Sequence, residues 1–374
     1  MAAGATAGVV ALGGLPAAIK LLTRVTDRKP VIGAVVPSVM FAGLDAAGFE
    51  EGIRMSLGQE LLERVQLKVR TAGPGPGSVL AQATALIDED FADLVVAWSN
   101  PARTDGLGDL SERSGVPIVA AEAGANAPDA EPDPRLFYHT LGYWQANHAM
   151  GAWAARNMGS RCAVACSLYE SGFDSLLAFN HGFEAAGGEI VSMTVTHLPD
   201  GDVAETVSSF VGSDADFVYA LHCGDEATEF VQAYADAGLS DLLPLAMSSF
   251  ALEAANLDAL GDNALGIKSA ATWTDTPSAL AALGQEVGGL LRDAFESDAS
   301  AITDGAIADG PRSGGALSTG TDSPIFIREV AGSAAARANA LLAEVGRTSD
   351  IDPVASALRD GPRTGWSNAY GSLA

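Results

Sequence analysis

The feature that most constrains this chain is an alternation, run twice, between short apolar stretches and stripes of apolar residues at helical spacing. VIGAVV (31–36) reads as a buried strand, and Phe49, Ile53, Leu57 and Leu61 then recur every four residues, as on one face of an amphipathic helix. VQLKVR (65–70) is a second strand, followed by the turn-rich GPGPGS (73–78) and a helix marked by Val79, Ala83 and Leu86. DLVVAW (93–98) and PIVAA (117–121) are a third and a fourth strand. Strands that alternate with helices in this way form parallel sheets with right-handed crossovers.

The rhythm restarts after the Pro/Asp-rich stretch NAPDAEPDPR (126–135). A helix through Ala149, Trp153 and Arg156 precedes the strand CAVACS (162–167). Leu176, Phe179 and Phe183 line the next helix, which should stop at Gly187-Gly188. EIVSMTV (189–195), DFVYAL (216–221) and LPLAM (243–247) read as further strands, with helices carrying Val207/Phe210 and Phe230/Tyr234 between them. A third region adds a helix (Leu280, Leu283, Val287, Leu290), a polar stretch (297–323) and the strand IFIREV (325–330).

With 374 residues, 48% of them apolar and 18% charged, the chain has enough material for two cores and is not disordered. Its formal net charge of −26, with only four lysines (Lys20, Lys29, Lys68 and Lys268), disfavours nucleic acid and anionic membrane surfaces as partners. Residues 2–19 form an apolar Ala/Gly-rich run resembling the tail of a secretory signal, here expected to be of the twin-arginine type with its basic start upstream of Met1. Residues 1–28 are therefore read as a signal-like or mobile segment, and the protein as exported to the periplasm. Cys162, Cys166 and Cys223 are odd in number, without a C-x-x-C spacing. Cys162 and Cys166 share a strand face but lie roughly 13 Å apart, too far for a disulfide.

Ligands of open parallel sheets sit at the carboxyl ends of the strands, so the loops there are where chemistry is expected. No G-x-G-x-x-G, no nucleotide-cradling G-x-x-x-x-G-K-[ST] and no G-x-S-x-G elbow occurs, and the five histidines show no H-E-x-x-H spacing. His222-Cys223 places a base beside a thiol, but neighbours on a strand end point in opposite directions. No cofactor, metal or catalytic residue is expected.

The loops do match a known pattern. IGAVVPSVMFAGLDAAGFEEGIRMSL (32–57), ADLVVAWSNP (92–101), PIVAAEAGANAP (117–128), FYHT (137–140), HGFEAAGGEIV (181–191), the stretch from DADFVYAL to YADAGL (214–239), SPIFIREV and GWSNAY (365–370) occur in one order along the chain. Together they resemble the type I periplasmic binding-protein family, in the branch that includes the leucine/isoleucine/valine-binding proteins and amide or urea receptors. Each motif alone is weakly specific; order and spacing carry the likeness, from about residue 30 to 370.

The resemblance implies an α/β fold of two lobes, each a parallel sheet flanked by helices, joined by three crossovers at a hinge. Lobe 1 would comprise 29–142 and 272–354, and lobe 2 143–271 and 355–374. It implies a solute-binding component of an ABC importer, a monomer whose partners are a small polar ligand and a membrane permease. A ligand-sensing receptor of the same fold is the alternative, and a cytosolic α/β enzyme a third reading. The ligand carboxylate would be held by Ser99 and Asn100, then Gly124, Ala125 and Asn126, where small residues admit the ligand to the backbone and Ser or Asn supply donors.

Departures from the family pattern are that Asn126 replaces a usual Thr, Trp98 adds bulk, and an aromatic of the first loop is replaced near Asp45. Ser171 stands where a ligand-stacking Tyr is common, with Tyr169 and Phe173 close by; Cys223 falls near another aromatic position and Ser248 near an acidic one. A branched-chain amino-acid pocket is therefore not well preserved. Asp45, Glu170 and Asp225 are either counter-charges for a ligand ammonium or solvated loop acids. Trp273 either walls the cleft or packs in the core.

Overall fold

The computed structural model describes residues 28–37, 46–73, 77–99, 106–122, 133, 135–167, 172–196, 203–273, 278–296, 317–318, 324–331 and 338–347. The first unit runs β1 (Val31–Pro37), α1 (Ala46–Arg64), β2 (Gln66–Ala72), α2 (Ser78–Asp88), β3 (Leu94–Ser99), α3 (Leu107–Ser114), β4 (Ile118–Glu122) and β5 (Phe137–Thr140). The second runs α4 (Tyr143–Asn157), β6 (Arg161–Ser167), α5 (Gly172–Ala185), β7 (Glu189–Thr196), α6 (Val203–Ser208), β8 (Phe217–Leu221), α7 (Gly224–Asp236) and β9 (Leu245–Met247). A 3-10 turn (Ser249–Leu252), α8 (Ala254–Leu260) and β10 (Lys268–Ala271) complete it. There follow α9 (Ala279–Glu296), β11 (Leu317–Ser318), β12 (Pro324–Ala331) and β13 (Ala338–Arg347).

The strands form two sheets, ordered β11-β5-β4-β3-β1-β2 and β13-β12-β10-β9-β8-β6-β7. All described pairings are parallel except β10 with β12 and β12 with β13. Among the described residues the chain thus passes between the sheets three times: after β5, between β10 and β11, and between β11 and β12. This is the two-lobed α/β architecture expected, with one difference in the boundaries. Residues 324–347 had been assigned with the first lobe, yet β12 and β13 extend the second sheet, Ser269 facing Arg328 and Ala271 facing Phe326 across the β10–β12 ladder. The FYHT segment is also a full strand, β5, beside β4.

The stripes read from sequence are the buried faces. Phe49, Ile53, Leu57 and Leu61 of α1 meet Leu280, Leu283, Val287 and Leu291 of α9 in one cluster, whereas Leu290 is exposed. The expected stripe was thus one residue off at its end, because the helical period of 3.6 carries the face from Val287 to Leu291. Leu176, Phe179 and Phe183 of α5 join Met150 and Ala154 of α4 beneath the second sheet. α5 stops before Gly187, whose φ of +93° suits a residue without a Cβ. Cys162 and Cys166 are buried on β6, and none of the three cysteines is in a disulfide among the described residues.

Each sheet carries a helix pair in backbone contact. A Cβ on Gly151 of α4 would press on the Phe179 carbonyl oxygen of α5, and one on Gly182 of α5 on the His148 carbonyl oxygen of α4. Gly52 of α1 and Gly284 of α9 stand in the same relation to Ala281 and Phe49. Backbone cannot step aside as a side chain can, so Gly151→Ala or Gly284→Ala should cost about 1–3 kcal/mol in urea denaturation. Gly289→Ala, where a Cβ meets nothing within 4 Å, should be neutral or slightly stabilising.

Candidate ligand-binding site

Parallel pairing puts the ends of β1, β3, β4 and β5 at one edge of the first sheet and those of β6 to β10 at one edge of the second. The two edges adjoin. A single buried cluster contains Trp98 from the end of β3, Leu141, Tyr143 and Trp144 from the first crossing, Phe250 after β9, and Ala271 and Trp273 at the second crossing. Tyr143 and Phe250 have ring centroids 4.5 Å apart, and Phe250 and Trp273 6.3 Å. Thr272 Oγ1 donates to the Leu141 carbonyl at 2.5 Å, tying the first crossing to the second. Large rings with a few hydroxyls among them are the usual lining of a small-molecule cleft.

The hydroxyls are present. Ser99, the last residue of β3, is fully buried, and its Oγ has no hydrogen-bond partner. Ser175 in the first turn of α5 and Ser249 in the 3-10 turn are buried with unpartnered Oγ atoms as well. A buried hydroxyl left unpaired costs free energy that a ligand acceptor recovers.

Deeper at the second edge lies a polar cluster. Thr196 Oγ1, at the end of β7, donates to Glu226 Oε1 at 2.7 Å and lies 3.1 Å from His222 Nε2. Because the threonine proton goes to the carboxylate, His222 Nε2 carries a proton and donates to Thr196, leaving Nδ1 as an acceptor without a partner. The imidazole is stacked on Phe230 at 4.6 Å, and burial pushes it down to about 3, so it is neutral at ordinary pH. Ser248 Oγ donates to the His222 carbonyl at 3.2 Å.

Among the residues singled out from sequence, Trp98, Ser99, Cys223, Ser248 and Trp273 fall at the adjoining edges. Trp98 and Trp273 are buried members of the shared cluster, and Cys223, capping α7, packs half-buried against it. His222 faces the polar cluster with Thr196, whereas Cys223 packs against the aromatic one. Phe173 falls in the first turn of α5. Asp45, Asn100, Gly124, Ala125, Asn126, Tyr169, Glu170 and Ser171 lie outside the described residues. Asp225 is exposed, and it is its neighbour Glu226 that is buried, at 3% exposure, because the inner face of α7 falls on 226, 227, 230, 231 and 234. Sequence reasoning passed over Tyr143, Ser175, Thr196, Glu226 and Ser249. A Ser or Thr within two residues of a strand end was the available signal for Thr196 and Ser249.

Residues 47–305 match the family model described as periplasmic binding protein. The chain belongs to the periplasmic binding protein family. A Leu/Ile/Val-binding protein homolog of Brucella suis is 27% identical over 228 residues, covering 60% of this chain and 57% of its own length. The chain thus matches little more than half the length of that curated relative. An ABC transporter substrate-binding protein from Sphaerobacter thermophilus superposes with a TM-score of 0.70 at 20% identity, over 86% of this chain and 99% of that one. A solute-binding protein from Rhodopseudomonas palustris, in complex with 3,4-dihydroxybenzoic acid, superposes with a TM-score of 0.67 at 19% identity, over 86% and 99%. These likenesses bear on the fold; the site of this binding protein rests on its own residues.

The buried His222 makes its stability pH-dependent. Unfolded, the imidazole titrates near pH 6.5, whereas folded it resists protonation down to about 3. Between those values the unfolded chain binds the extra proton, so stability falls as pH drops below 6.5, by up to about 1.4 kcal/mol per pH unit from this group. Urea denaturation between pH 7 and 5 should give a slope shallower by about one proton in His222→Gln than in the parent.

Proposed function

We propose that this chain is the solute-binding component of an ABC importer, exported to the periplasm, where it captures a small polar molecule in the cleft between its two lobes. The observation that carries the reading is an aromatic cluster drawn from the carboxyl edges of both sheets, together with the buried Ser99, Ser175 and Ser249 hydroxyls at or after the ends of β3, β6 and β9, which have no partner among the described residues. Two units joined by three chain crossings can close on a ligand by rotation at the crossings, which is the hinge motion of binding proteins. The ligand class consistent with this lining is an amino acid, amide or small carboxylate carrying an apolar body. Membership of the family, whose members serve transporters, supports a permease partner and a non-catalytic role. The relative named for Leu, Ile and Val and the neighbour holding 3,4-dihydroxybenzoic acid span that same range of ligands. The Ala/Gly-rich run at 2–19 supports export.

A thermal-shift screen of amino acids, amides, urea, short carboxylates and aromatic acids tests this. A ligand at about a hundred times its Kd adds roughly 2.7 kcal/mol, a shift of several degrees. One chemical class should shift the melting point, with the shift lost in Ser99→Ala. No shift with any class, together with turnover of an ester or amide, overturns the reading.

A further inference from the structure

Arg328 is the most unusual charge among the described residues. It sits on β12 at 6% exposure. No carboxylate among the described residues pairs with it. Its hydrogen-bond partner is the Trp273 carbonyl, which accepts from Nη1 at 3.3 Å, and Cζ stands 5.8 Å from the Trp273 ring. Nε is buried without a partner. A guanidinium has five N–H donors in a planar fork that matches an oxyanion, and here the buried Nε–H is left without a partner.

A second orphan sits beside it. Ser269 of β10 faces Arg328 directly across the antiparallel ladder, and directly opposed residues project from the same face of a sheet. Ser269 is fully buried, and its Oγ has no partner. Ile327 and Ala270, the adjacent pair, enter the apolar cluster under α4 and α5, which places Ser269 and Arg328 on the other face. The 3-10 turn bearing Phe250 packs against β10, and Phe250 in turn adjoins Trp273. A buried cation that touches Trp273 and a buried hydroxyl opposite it in the ladder therefore share one face of the second sheet, beside the aromatic cluster.

We propose that Arg328 and Ser269 form an anion-recognition site for a small carboxylate, whose apolar body lies against Trp273 and Phe250. This rests on the solute-binding reading and narrows it to an anionic solute. The chemistry is the pairing of a carboxylate with a guanidinium and a hydroxyl in a site screened from water, where charge-assisted hydrogen bonds are strongest. Burial already pulls the guanidinium down to about 10, the penalty expected of a cation without a counter-ion. A bound carboxylate relieves that penalty, so ligand affinity is drawn from an instability stored in the empty protein.

The test compares the parent with Arg328→Met, which keeps the stem and removes the charge. Each is titrated with sodium benzoate, its neutral isostere benzamide, sodium acetate and inorganic phosphate, with melting temperature and tryptophan fluorescence as readouts. The expected result has two parts. Ligand-free Arg328→Met melts at or above the parent temperature. A carboxylate stabilises the parent while benzamide and phosphate do not, and its Kd rises at least tenfold in Arg328→Met and several-fold in Ser269→Ala. A ligand-free Arg328→Met that melts several degrees below the parent makes the guanidinium a structural strut and overturns the proposal. So does equal binding of benzoate and benzamide, binding of phosphate alone, or a parent that binds no carboxylate. If a solute found in the Ser99-dependent screen binds Arg328→Met unchanged, the solute-binding reading stands and this site falls. If the parent binds no solute at all, both fall.

Discussion

The structure depends on one consequence of parallel pairing: every strand of a parallel sheet ends at the same edge. Backbone carbonyls and amides left unpaired at that edge, and the side chains just past it, collect in one place without any sequence rule to gather them. In this chain two such edges are brought together by the crossings after β5 and β10, and Thr272 donating to the Leu141 carbonyl stitches those crossings to each other. The aromatic cluster of Trp98, Tyr143, Phe250 and Trp273 follows from that juxtaposition, since each ring lies at or just beyond a strand end. A core spanning two units is also a core that separates when the units rotate, so the same contact serves as packing and as the wall of a cleft.

Outside this junction, the two units are built alike. Each sheet is backed by a helix pair whose axes approach until glycine meets carbonyl, Gly151 and Gly182 in one unit and Gly52 and Gly284 in the other. Such contacts have no slack, and they make each unit stiff. Closure of the proposed cleft would then take place at the crossings rather than within either unit.

How far the sequence reveals this differs between elements, for physical reasons. The strands β1, β3, β6 and β8 are continuous apolar runs because both faces of a central parallel strand are buried, and these were legible at once. The stripes of α1, α2 and α5 were legible because one face of each meets a sheet or helix. β13 was not. ANALLAEVGR is made largely of good helix formers, and pairing with β12 at the sheet edge, with Val345 packed on the cluster under α4, holds it extended while Leu341 and Leu342 stay exposed. That pairing also moves the boundary between the units. That Ser99, Ser248, Cys223 and Trp273 stand at or just past strand ends was legible from the apolar runs before them. Glu226 was not separable from Asp225, because one position along a helix decides between solvent and core. Arg328 was hidden for a related reason: within IFIREV it is one alternate residue of a strand, and nothing in the string says that both faces of β12 are covered.

The polar residues of the site share an energetic logic. Among the described residues, Ser99, Ser175, Ser249 and Ser269 keep hydroxyls without partners, His222 keeps a bare ring nitrogen, and Arg328 keeps a charge without a counter-ion. A folded chain selected only for stability would replace these with apolar groups of similar size, since a buried unpaired polar atom costs about 1–3 kcal/mol and an unpaired charge more. Each of these is a position at which a bound molecule can supply a partner that the described residues do not. The apolar rings set how large that missing molecule is, and the unpaired donors set where its oxygens lie. In the site proposed, the guanidinium beside Trp273 sets the sign of its charge.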